Sequence, residues 1–274
     1  MPKIGITEAG DASIDLSWTK KAWKMDLMIL ITKNVTDEFI RTVIPFRDKT
    51  IVHATCTGWG GTILEPGVPD WRHQLEQVKK LIYEGFPGEQ VVLRIDPIIP
   101  TKKGLAKFEE IVSAAYPTVD RFRISVLDNY GHVQRRFADS GLPVLYNGLF
   151  NPPEETFAEV DAVIAKLVKR YPESCFEACA EMKLKWPLQI GCVSWKDMRM
   201  FGLVPERVKR QPSRTGCRCE EKTEMLSYAH FHYCSMKNKE ISPKDSCEAG
   251  SCATCRSHQV YGCANRCLYC YWRT

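Results

Sequence analysis

The chain has 274 residues, 44% hydrophobic and 26% charged, with 38 basic against 33 acidic side chains and a formal net charge of +5. That is enough apolar chain for one large domain or two small ones without disulfide support. No run of about 18 apolar residues is present, which excludes a membrane-spanning helix, and so small a basic excess does not by itself call for a nucleic-acid partner.

Residues 1–5 lack a signal-peptide pattern, so the expected location is the cytoplasm and no membrane partner is expected. In that compartment the 13 cysteines, an odd number, read as metal or iron–sulfur ligands rather than disulfides. Nine of them fall in the last 58 residues.

In chain order, residues 3–7, 27–32, 51–57, 91–95, 121–127 and 176–180 are short apolar runs without clean alternation. Strands buried on both faces look like this. Between them lie helical patterns. Thr36, Asp37 and Glu38 supply a cap and an acidic first turn. Residues 71–84 place Leu75, Val78, Leu81 and Ile82 on one face before Gly85. Residues 107–115 and 155–170 repeat the pattern. The predicted fold class is therefore α/β, a partial (βα)6-type barrel with a short extra strand at 258–261, and a doubly wound sheet is the alternative. Expected boundaries are 1–201 for the barrel, 202–257 for a cysteine-rich irregular lid, and 258–274 for a final strand and cysteine loop.

In either architecture chemistry belongs at the carboxyl ends of the strands. The third strand ends in Gly58, Gly60 and Gly61, whose lack of side chains lets backbone approach a ligand; a tight turn explains them equally. The fourth carries Arg94 and Asp96, which face one side by the period of two. They read as a structural ion pair or as contacts to a ligand carboxylate or ribose. Ser125 and Asp128 end the fifth strand, Glu177 and Glu181 the sixth. Arg207, Lys209, Arg210, Arg214 and Arg218, with His230, Phe231 and Tyr233 beyond, suit a phosphate backbone or a flipped base, or form a solvated lid. Cys56 and Cys175 read as buried small apolar residues.

Cys263-Ala264-Asn265-Arg266-Cys267-Leu268-Tyr269-Cys270 closes the series. Three thiolates at spacings of three and two residues can grip three irons of a cubane and leave the fourth iron open. The competing reading is zinc, with Cys252-x-x-Cys255 pairing with Cys267-x-x-Cys270.

This run resembles the radical S-adenosylmethionine superfamily, and its C-x-Y-C-Y ending is similar to the photoproduct-lyase-like branch. The chain as a whole resembles the bacterial domain-of-unknown-function family 1848. The tracts that carry this are Thr55-Cys56-Thr57-Gly58-Trp59-Gly60, Arg94-Ile95-Asp96-Pro97-Ile98, Ser125-Val126-Leu127-Asp128, Glu177-Ala178-Cys179-Ala180-Glu181, Gly191-Cys192 and the terminal cysteines. The family's S-A-S-R-R-T-D opening is absent here, and Arg266 stands where it has glycine.

The resemblance implies a [4Fe–4S] cluster on Cys263, Cys267 and Cys270. It implies S-adenosylmethionine on the open iron, contacted by Tyr269, the three glycines, Arg94, Asp96 and Ser125. It also implies an external electron donor such as flavodoxin or ferredoxin. Cys179, Cys192, Cys252 and Cys255 are candidates for a second cluster or a zinc ion. Because the cysteine run follows the strands instead of preceding them, the barrel is expected to be circularly permuted. The implied activity is cleavage of S-adenosylmethionine to a 5′-deoxyadenosyl radical that abstracts hydrogen from a substrate. That substrate is expected to be a modified or unmodified nucleobase in DNA or RNA, with a small amino-acid-like metabolite as the alternative. A zinc-organised nucleic-acid-binding protein without catalysis is the rival from outside the enzymes. Which residue acts as catalyst is not read from the sequence.

Overall fold

Eight of the chain's strands form a single all-parallel sheet in the computed structural model, which describes residues 2–8, 10–204, 223–226, 232–234, 239–241 and 263–270. They are β1 (Ile4–Ile6), β2 (Leu27–Thr32), β3 (Thr50–Thr55), β4 (Val91–Ile98), β5 (Arg121–Val126), β6 (Cys175–Ala178), β7 (Leu188–Gln189) and β8 (Glu224–Met225). The spatial order is β7-β6-β5-β4-β3-β2-β1-β8. A separate antiparallel pair joins β9 (His232–Cys234) to β10 (Lys239–Ile241).

The order decides between the two expected architectures. A doubly wound sheet reverses direction at a switch point. Here β1 to β7 follow one another without reversal, and the sheet curls into a half-barrel. All six expected strands are present, extended by β7 beyond β6 and by β8 beyond β1. Residues 224–225, inside the segment expected to form a lid, pair with Gly5 and Ile6. The expected strand at 258–261 lies outside the described residues.

The crossovers carry α1 (Thr19–Ala22), α2 (Asp37–Val43), α3 (Trp71–Tyr83), α4 (Lys102–Ala115), α5 (Gly131–Asp139), α6 (Glu154–Arg170) and α7 (Trp195–Met200). Local chemistry sets several of their starts. Thr36, Asp70, Thr101 and Ser194 each accept a hydrogen bond from a backbone N–H in the following turn. Leu75, Val78 and Leu81 of α3, Phe108 and Ile111 of α4, and Val160 and Ile164 of α6 are buried in the main core.

Successive strand residues serve two different cores. Met28, Leu30, Val52, Leu93, Phe122 and Phe176 belong to the large core shared with the helices. Their alternates Leu27, Ile29, Ile51 and Val92 form a second, smaller core with Ile4, Ile6, Val193 and Met198. Each fully buried side chain of this size stabilises the fold by about 1.5–3 kcal/mol. Both faces are apolar, which is why these strands show no clean alternation in sequence. Met198 brings α7 into the inner core, so this short helix plugs the concave side of the half-barrel.

Polar residues of the inner face sit beside that plug as a buried ion network. Glu177 accepts from Arg121 at 3.2 Å, from Arg123 at 2.5 Å and from Lys196 at 2.9 Å. Asp197 of α7 accepts from Arg121 at 2.7 Å. Burial alone would raise the Glu177 carboxyl, but the two guanidiniums and Lys196 hold it down at about 2. Glu177 was expected at a ligand-contacting strand end; it instead fastens α7 to the sheet.

Among the described residues no helix is long and apolar enough to cross a membrane.

Candidate active site

A cavity of about 850 Å³ opens at the carboxyl ends of β2 to β6. Cys263, Cys267 and Cys270 line it, as do Cys179 and Cys192 from the ends of β6 and β7. The resemblance grouped four further thiols; two of these, Cys179 and Cys192, are on this wall, where they also pack against the inner core. Cys252 and Cys255 lie outside the described residues, as do Arg207, Lys209, Arg210, Arg214 and Arg218.

The cysteine run folds as two successive turns. Arg266 N–H donates to the Cys263 carbonyl and Cys270 N–H to the Cys267 carbonyl, both at 3.3 Å. Arg266 adopts a left-handed φ of 49° between them, which explains the family's glycine at this place. Little within the run holds it further; the rest of the chain does. Asn265 donates to Asp11 after β1 at 2.7 Å. Arg136 of α5 donates to the carbonyls of Leu268 and Cys270, each at 2.7 Å. Leu268 N–H donates to the Leu64 carbonyl at 2.9 Å, and Gly67 N–H to the Asn265 carbonyl at 3.2 Å.

The glycine-rich loop after β3 supplies those last two contacts. Gly58, Gly60 and Gly61 were expected to meet a ligand, yet none lines the 850 Å³ cavity. Gly58 and Gly61 have left-handed φ values of 82° and 72°. At Gly60 a Cβ would stand 1.8 Å from the Pro69 carbonyl oxygen. They fold the loop that carries Leu64, Glu65 and Gly67 to the cysteine turn. At Gly67 a Cβ would come within 2.1 Å of the Ala264 carbonyl oxygen, so glycine is needed for the docking itself.

Tyr269 lines the cavity but is 7% exposed, and its hydroxyl is committed. It bonds Glu65, and Lys33 donates to it at 3.0 Å. Lys33 also pairs with Glu65 at 2.9 Å, and Glu65 accepts from Thr57 at 2.6 Å. Burial penalises the Lys33 ammonium, but Glu65, with Cys267 and Asp96 nearby, more than offsets this and keeps it charged.

Arg94, Asp96 and Ser125 all line the cavity and are bonded to one another. Arg94 pairs with Asp96, and Ser125 donates to Asp96 at 2.5 Å. Burial works against the Asp96 carboxylate; Arg94, Ser125 and Lys33 outweigh it and hold its pKa below the usual range. Asp128 and Glu181 complete the β5–β6 side. Glu181 accepts from Val126 N–H at 2.7 Å. Burial, then Asp128 and Asp96, push its carboxyl up to about 8. Asp128 stands at the exposed rim, and desolvation followed by the Asp96 charge pushes it up as well.

Cys56 is buried and donates weakly to the Trp71 carbonyl at 3.8 Å, as a small apolar residue does. Cys175 differs from that expectation: it is half-buried, 3.2 Å from Lys196.

Burial drives the Cys263 thiol up to about 12 and Cys267 in the same direction. Such thiols ionise only against a strong positive centre, which metal ligation supplies. Among the described residues no group of three or more His, Cys, Asp or Glu side chains is disposed to hold a single metal ion.

Sequence reasoning missed Asp11, Lys33, Glu65, Gly67 and Arg136. Each is distant in sequence from the cysteines, and nothing local distinguishes it from an ordinary surface or turn residue.

A family model described as a domain of unknown function (DUF1848) matches residues 15–272. No curated protein matches the chain.

Proposed function

The chain belongs to the DUF1848 family, and from that premise and the geometry of the cavity we propose that it is a radical S-adenosylmethionine enzyme. One observation carries the reading: the three cysteines of a C-x-x-x-C-x-x-C run line the same 850 Å³ cavity as the polar strand ends. Cys263, Cys267 and Cys270 would hold a [4Fe–4S] cluster, and Arg94, Asp96 and Ser125, which line the same cavity, would contact S-adenosylmethionine. Together those cofactors supply a 5′-deoxyadenosyl radical by reductive cleavage, with electrons from an external flavodoxin- or ferredoxin-like donor.

The chain's own part is placement and exclusion of water. Asp11, Arg136, Leu64 and Gly67 fix the cysteine turn against the half-barrel. Buried Tyr269 and the Lys33–Glu65 pair close one side of the chamber. The ion network of Glu177, Arg121, Arg123 and Asp197 keeps α7 seated against the concave face. In this reading the half-barrel is circularly permuted, since the cysteine turn follows the strands it serves. Cys179 and Cys192, which line the same cavity, would contribute to a second cluster or zinc site together with Cys252 and Cys255.

Of the two substrate classes expected, a nucleobase in DNA or RNA and a small amino-acid-like metabolite, we favour the metabolite. The chamber's buried cations Lys33, Arg94 and Arg123 are already paired with protein carboxylates and offer little to a phosphate backbone.

The test is anaerobic purification followed by iron analysis and incubation with S-adenosylmethionine and a reductant. A brown protein that forms 5′-deoxyadenosine, with Cys267→Ala forming none, is the expected result. A colourless protein containing only zinc would overturn the reading.

A further inference from the structure

We propose that the chamber recognises a positively charged nitrogen on its substrate through Glu181 and Asp128. The inference rests on the chamber being the substrate site of the enzyme proposed above, and it names the chemistry that substrate must carry.

Lys33 is bound to Glu65 and Tyr269, Arg94 to Asp96, and Arg123 to Glu177. Lys183 and Arg266 are exposed, and Lys183 lies 5.5 Å over the Phe157 ring. The buried cations of the wall are thus neutralised within the protein.

The acceptors are not. Asp128 has no hydrogen-bond partner among the described residues. Among the described residues the Glu181 carboxyl group accepts one hydrogen bond, from the Val126 N–H through a single oxygen. Asp96 adds a third carboxylate to this side of the cavity, already balanced by Arg94. A separate observation comes from the cysteine turn. Asn265 lines the same cavity and is 2% exposed; its amide nitrogen is turned to Asp11 at 2.7 Å, and its Oδ1 is buried without a partner among the described residues. A buried acceptor with no donor calls for one from a ligand.

Asp128 and Glu181 line the same cavity, and a charge-assisted hydrogen bond from a cation to a carboxyl group is the strong kind. Tyr130, Phe150 and Phe157 line the same cavity, where aromatic faces attract cations further. The ligand this wall fits is a small molecule with an ammonium, amidinium or guanidinium group, since the buried cations Lys33, Arg94 and Arg123 are already paired within the protein.

Isothermal titration of the full chain with benzamidine, benzamide and benzoate tests this, because the three share a ring and differ in charge. Benzamidine is expected to bind roughly tenfold or more tightly than benzamide, with benzoate weakest. Glu181→Gln should remove most of that preference. Asp128→Asn, at the exposed rim, should do the same in part and serves if the first variant fails to fold. Benzoate binding as tightly as benzamidine, or a preference untouched by both variants, overturns the proposal. The titration needs neither iron nor S-adenosylmethionine. An iron-free protein that prefers benzamidine would therefore sink the radical reading and spare this one, and a brown, S-adenosylmethionine-cleaving protein that prefers benzoate would do the reverse.

Discussion

Asn265 and Asp11 are 254 positions apart and meet at 2.7 Å. This bond ties the turn between Cys263 and Cys267 to the loop leaving β1. Asp11 is 2% exposed and also accepts from Ser13 N–H, Thr32 Oγ1 and Lys33 N–H. One carboxylate thus organises the ends of two neighbouring strands and the cysteine turn together.

Replacing Asp11 with alanine leaves buried donors from three segments unsatisfied. We expect Asp11→Ala to cost about 3 kcal/mol, read as a lowered midpoint in urea with an unchanged slope. An unaltered midpoint would mean that water replaces the carboxylate without penalty.

Gly67→Ala tests the cysteine turn alone. The added Cβ would stand 2.1 Å from the Ala264 carbonyl oxygen, backbone that has no rotamer with which to yield. The turn should lift from its cradle while the sheet stays intact. In metal-free protein, Cys267, now 5% exposed, should then react faster with a thiol reagent, at nearly the wild-type melting temperature. Equal labelling rates would show that the cradle does not hold the turn.

Glu177 gives the chain an acid limit. Its folded-state pKa is lowered from 4.5 to about 2. The stability it contributes is complete above pH 4.5 and is lost as pH falls from there through 2. The linked amount is about 3 kcal/mol. Glu177→Gln should destabilise by about 3–5 kcal/mol at neutral pH by leaving Arg121 and Arg123 buried and undercompensated. It should also flatten the decline in stability between pH 5 and 2, followed by circular dichroism. A variant with the wild-type acid profile would remove Glu177 as its source.

The half-barrel was legible because strands buried on both faces leave continuous apolar runs, as at 27–32 and 51–55. β7 and β8 were not, because two residues carry no period. Arg94 and Asp96 were correctly paired by strand alternation alone. The glycines after β3 were visible as a special loop, but their work is docking of backbone to backbone at Gly60 and Gly67, which no residue type announces. Glu177 shows the opposite failure: a polar residue at a strand end looks like a ligand contact until its guanidinium partners, brought from β5, are seen.

The cysteine turn follows every strand of the sheet in the chain, and that order has a consequence in time. During synthesis the strands emerge before the residues that seal their mouth, and domains tend to fold in that direction. Asp11, Lys33 and Glu65 must then wait, hydrated, for Asn265 and Tyr269 to arrive. Folding in that order would close the cysteine turn as a clasp on a half-barrel already formed.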